Sequence, residues 1–163
     1  MVDPYPAGPE QPYRPPTKGE PPASVATAIK LIWVGVGLSI LSSLLSIVFI
    51  DDLIDDVIGA DASIDRDAAQ VGVIVGTVFS IAFGVGLAIL FIFFLKKGAN
   101  WARIVYTVLL GIGIVVGVVG LLGSQPIVFL LLGLVGLVLN IATIVFLFRP
   151  DSNAFFSAPT PTY

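Results

Sequence analysis

Polar and apolar residues are separated into blocks along this chain rather than interleaved. Four stretches, 31–50, 71–95, 104–122 and 127–148, run without a single Asp, Glu, Lys or Arg. Charge-free apolar runs of roughly 17–25 residues are long enough for a helix to cross a bilayer. At about 1.5 Å per residue these four reach roughly 28–38 Å, against a hydrocarbon core near 30 Å. The second is the longest, and is expected to tilt or to run past the membrane surface. The pattern therefore predicts an all-α membrane protein, a bundle of four transmembrane helices occupying residues 29–149. A disordered, proline-rich tail (1–28) precedes it and a short tail (150–163) follows.

The polar blocks between the runs set the connections. Gly123, Ser124, Gln125 and Pro126 leave room only for a tight turn, so the last two helices form an antiparallel hairpin. Lys96, Lys97, Gly98, Ala99 and Asn100 make a short loop, with Asn100 as the expected N-cap of the third helix. Trp101 then lies at interface depth, and Arg103 is expected to snorkel to the headgroups, so both read as interface anchors. Pro150 is expected to end the fourth helix.

Composition agrees with this reading. Of 163 residues, 56% are hydrophobic and only 12% charged, more apolar surface than a soluble domain can hide. Lys and Arg then orient the spans. Arg14, Lys18 and Lys30 precede the first, Lys96, Lys97 and Arg103 lie between the second and third, and Arg149 follows the fourth. Only Arg66 falls on the opposite side, which predicts cytoplasmic N- and C-termini. The 51–70 segment becomes an external acidic loop. The first 22 residues hold no basic stretch running into an apolar core, so the first span is expected to stay in the mature protein.

The chemical inventory is narrow. Cysteine and histidine are absent, which removes disulfides, thiol chemistry, Cys or His metal sites and histidine acid–base catalysis. The net charge of −3 argues against nucleic acid as a partner. No P-loop, G-x-S-x-G or intramembrane charge is present, so neither catalysis nor proton-coupled transport is expected, and no cofactor is implied. Asp51, Asp52, Asp55 and Asp56 alternate with apolar residues, so an extension of the first helix would carry paired carboxylates on one side. They are candidate ligands for a hard cation such as calcium, although no fixed ligand spacing emerges and a solvated acidic surface is the plainer reading.

Small residues recur along the spans: Gly72, Gly76, Ser80, Gly84 in the second, Gly113 and Gly117 in the third. Small residues let helix backbones approach in lipid, either within the bundle or between copies of the chain. Asn140 is the most polar side chain inside a span. It calls for a hydrogen-bond partner on another helix, or, with Thr77 and Thr107, for a place on a solute path. In the leader, Pro6, Pro9, Pro12 and Pro15 recur every third residue and would line one ridge of a polyproline II helix. That ridge is a solubilising spacer or a docking ligand for a proline-recognising cytoplasmic partner.

The Pro/Tyr-rich leader, the Gly98-Ala99-Asn100-Trp101-Ala102-Arg103 stretch opening the third span and the Phe148-Arg149-Pro150-Asp151 stretch resemble small four-span membrane proteins common in actinobacteria. Such families carry no assigned activity. The resemblance implies the same topology and a bacterial plasma membrane, with no catalytic residues to carry over. The expectation is a non-enzymatic structural, accessory or scaffold protein in the lipid bilayer, bound to a membrane-protein partner or to itself. The alternative is an oligomeric channel or small-solute transporter.

Overall fold

The computed structural model describes residues 19–61, 63–123 and 126–158, and every regular element among them is helical. Six helices follow in order: α1 (Ala23–Ser46), α2 (Ile50–Ala60), α3 (Arg66–Lys96), α4 (Asn100–Leu121), α5 (Ile127–Leu147) and α6 (Pro150–Ser157). Four of them, α1, α3, α4 and α5, are long and apolar enough to cross a membrane. At 24, 31, 22 and 21 residues they measure about 36, 46, 33 and 32 Å. The chain is a small polytopic membrane protein.

The four long helices pack in a ring: α1 lies against α3, α3 against α4, α4 against α5, and α5 closes on α1. Their chain directions alternate, so each neighbour pair is antiparallel. The ring has two ends. One, the terminal end, gathers the start of α1, the α3–α4 loop and the end of α5 with α6. The other, the α2 end, gathers α2 and the α4–α5 turn.

Local chemistry explains the boundaries. Pro22, extended at ψ 162°, precedes α1. Helix α1 therefore starts eight residues before the charge-free run, and Ser24, Val25 and Ala28, assigned from sequence to the disordered tail, are buried. It also ends early. The Ile47, Val48 and Phe49 amides bond back to the carbonyls three residues before them, a tight turn that the apolar sequence conceals. At α3, Asp65 caps the first turn by accepting from the Ala68 amide at 2.9 Å. Its other end closes on Gly98, the one described residue with a left-handed backbone, at φ 68°. There Gly98 N–H reaches Leu95 O and Ala99 N–H reaches Phe94 O, both at 3.0 Å, satisfying two terminal carbonyls. Asn100 is the first residue of α4 rather than its cap. Ala99 occupies the cap position and no side chain bonds the free amides.

Burial is concentrated at the terminal end. Val25, Ala28, Ile29 and Ile32 of α1 meet Ala88, Ile92 and Leu95 of α3, Leu147 of α5 and Phe156 of α6. Toward the α2 end, no residue of α4 beyond Arg103 and none of α5 before Thr143 is buried. The bundle is thus tied at one end and looser at the other, with its outer apolar faces turned to lipid.

Candidate functional site

Between the four long helices lies a cavity of about 650 Å³. Its walls are mostly hydrocarbon, because the helices that form it are apolar all round. Several polar groups nevertheless converge on it: Ser39, Ser42 and Ser43 from α1, Tyr106 from α4, Asn140 and Thr143 from α5. Ser39 and Thr143 spend their hydroxyls on their own helices, bonding Val36 O at 2.8 Å and Leu139 O at 2.7 Å. Asn140 is half-buried and makes no side-chain hydrogen bond with any described residue, so the partner on another helix expected for it is not found. The threonines expected beside it are elsewhere. Thr77 lines a separate groove between α1, α2 and α3, and Thr107 bonds Arg103 O at 2.8 Å. Tyr106, packed on Phe91 with ring centroids 5.1 Å apart, and the serines take their place around the cavity.

The terminal end of the bundle is closed by a polar clamp. Helix α6 starts at Pro150, which is suited to a first helical position because it has no amide to satisfy. The proline thus ends one helix and begins the next, and the expected short tail is in part a docked helix. Ser152, fully buried, donates to Phe146 O at 2.7 Å, and its oxygen meets the Ser24 hydroxyl at 2.5 Å. Asp151 sits in the first turn of α6 beside Ser24, whose hydroxyl does most to hold its carboxyl below the usual carboxylate range.

Arg103 is enclosed by this clamp. Only 9% exposed, it donates to Asn153 Oδ1 at 2.7 Å and, at 3.5 Å, approaches Leu147 O. Its guanidinium lies over the rings of Phe148 and Phe156, at 4.6 and 4.9 Å from their centroids. Its Nε is buried without a partner, and among the described residues no carboxylate pairs with it. Where a snorkelling anchor was expected, Arg103 is a buried keystone under α6, with aromatic faces in place of solvent. Trp101 is half exposed and stacks edge-on against Phe94 at 4.9 Å.

At the opposite end, the acidic segment is ordered as α2. Ile54 is buried, while Asp51, Asp52, Asp55 and Asp56 are exposed on the other face. Asp51 and Asp55, one turn apart, each bond Arg66 at 2.7 Å, so two of the four candidate ligands are held by a cation the chain supplies. No group of three or more acidic side chains with metal-holding geometry forms among the described residues. Asp61 accepts from the Ser63 hydroxyl at 2.7 Å and the Ser63 amide at 2.9 Å, which lowers its pKa.

The small residues divide. A Cβ added at Gly72, Gly76, Gly84 or Gly113 would meet nothing within 4 Å, whereas at Gly117 it would meet Leu137 Cδ2 at 3.1 Å. Among these glycines only Gly117 closely meets another helix of the same chain. Gly72, Gly76 and Ser80 border the groove beside α2, and Gly84 borders the central cavity. Pro6, Pro9, Pro12 and Pro15 lie outside the described residues. No protein-family model, curated protein or solved structure matches this chain.

Proposed function

We propose that this chain is a non-enzymatic accessory protein of a bacterial plasma membrane, a scaffold that binds other membrane components and presents its proline-rich leader to the cytoplasm. The observation that carries this reading is the convergence of the start of α1 and helix α6 on one clamped surface. The Ser24–Ser152 contact brings the start of α1 against α6. The seven-to-one distribution of Lys and Arg supports placing that surface in the cytoplasm. The cavity lining supports binding over catalysis, since it contains no Asp, Glu, Lys or Arg to act as acid or base. A pore through a single chain fits less well, because the buried core of Val25, Ile29, Leu95, Leu147 and Phe156 fills the terminal end.

Photo-crosslinking in native cells tests this, comparing the full chain with one lacking residues 2–18, a deletion that leaves α1 and its packing whole. A partner captured by the full chain and lost on deletion supports a docking leader. Capture of self alone by both forms contradicts it, and flux through reconstituted liposomes would then favour the oligomeric channel.

A further inference from the structure

We propose that the central cavity is a binding site for a neutral, single-chain lipid bearing a carbonyl group. Its shape argues first. The lining runs from Leu31 to Ser43 along α1 and from Phe129 to Thr143 along α5, so it is a slot about 18–21 Å long parallel to the helices. A volume of about 650 Å³ over that length leaves a cross-section of roughly 30–35 Å². A partner helix, with a diameter of about 10–12 Å, needs roughly 80–110 Å². The slot is therefore shaped for an extended chain rather than a helix. The volume lies within the range of about 300–1,000 Å³ found for small-ligand pockets.

Chemistry narrows the occupant. No charged side chain lines the slot, so a charged headgroup would enter without a counter-ion. The medium around it is lipid. Asn140 lies seven residues from the end of α5 and Tyr106 six residues from the start of α4. Both are thus about 9–11 Å in from the terminal end, at similar depth. The amide N–H₂ and the phenol O–H are donors, and neither side chain hydrogen-bonds a described residue. A carbonyl oxygen between them would satisfy both. Ser42 and Ser43 border the slot nearer the α2 end, where no residue of α5 before Thr143 is buried.

The glycines provide the test. Gly84 borders the slot and a Cβ there meets nothing within 4 Å, so Gly84→Leu is the variant chosen to occupy the space. Gly76 is equally open but borders the other groove, so Gly76→Leu is the matched control. The full-length protein in phosphatidylcholine nanodiscs is irradiated with a diazirine-bearing monoacylglycerol, a neutral single-chain ester, and the labelled peptides are mapped. Labelling is expected on slot-lining segments of α1 and α5, competed by unmodified monoacylglycerol, lost in Gly84→Leu and retained in Gly76→Leu. Asn140→Leu is expected to weaken competition about tenfold, the equivalent of one lost hydrogen bond. If Gly84→Leu does not fold, Gly35→Leu, on the α1 wall and equally unobstructed, replaces it. Uncompeted labelling spread over the outer helix faces would overturn the proposal. So would undiminished labelling of a folded slot-filling variant, or equal slot labelling by a diazirine-bearing phosphatidylcholine.

Discussion

Phe156→Ala removes the ring that joins α6 to the core and covers one face of Arg103. The side chain is 3% exposed and belongs to the terminal-end cluster with Val25, Ile29, Leu95 and Leu147. Truncating a buried phenylalanine costs about 3–5 kcal/mol when the surroundings cannot collapse. Against that stand the bonds from Ser152 and Asn153, each worth about 1 kcal/mol net, and the Arg103–Asn153 bond at about 1.5–3 kcal/mol. An eight-residue helix has little stability of its own, so its order depends on docking. The variant should lose α6 locally while the four long helices, which share a much larger interface, stay packed. A loss of about 3 kcal/mol raises amide exchange in a locally opening segment about a hundredfold. Hydrogen exchange of the protein in nanodiscs should therefore show that acceleration at 151–157, with α3 and α5 unchanged. Arg103, freed from its cover, should then reach the headgroups as its stem length permits. Unchanged exchange at 151–157 would refute the reasoning, as would equal loss of protection along all helices.

Four further outcomes follow from other contacts. Asp151 has a lowered pKa in the folded state, so its contribution to α6 docking is present above the ordinary carboxylate range and fades as pH falls through the lowered value; exchange at 151–157 should rise on that acidification, and Ser24→Ala should weaken the dependence. Gly117→Ala presses on Leu137 and should lower thermal stability, whereas Gly84→Ala meets open space and should raise it by about 0.5–1 kcal/mol through helix propensity, both read by melting in detergent. Arg66→Ala breaks two solvent-exposed ion pairs and should leave the melting temperature in detergent nearly unchanged, while α2, held by Ile54, keeps its exchange protection. Arg103→Lys keeps the charge but cannot present a planar guanidinium to both Phe148 and Phe156, so α6 should exchange faster than in the parent chain.

The spans were legible because their signal is length without charge, which needs no knowledge of what each helix touches. Their rotations were not. An amphipathic helix announces its buried face, but α4 and α5 are apolar around the whole circumference, so nothing in the sequence says that Tyr106 and Asn140 look into one cavity. Asn140 alone stood out as an amide in an apolar run. Helix α2 was half legible: the alternation of Asp pairs with Leu53, Ile54 and Val57 marks an amphipathic helix, while the break before it falls on apolar Ile47, Val48 and Phe49. Helix α6 was hidden by the double meaning of Pro150, which stops one helix and suits the first position of another. That misreading carries to Arg103, whose distance from the membrane surface points to snorkelling unless something covers it. The cover is eight residues long and half polar, too short to register as a helix by periodicity.

Four crossings that return both ends to one face are the central claim, and the absence of native cysteine makes it directly measurable. Single cysteines at Gly19→Cys, Asp61→Cys, Gly123→Cys and Ser157→Cys would be labelled with a membrane-impermeant maleimide on intact cells and again after permeabilisation. The account predicts labelling of positions 61 and 123 on intact cells, and of 19 and 157 only after permeabilisation. Labelling of 19 on one side and 157 on the other would contradict four crossings, and exclusion of 61 on intact cells would invert the orientation.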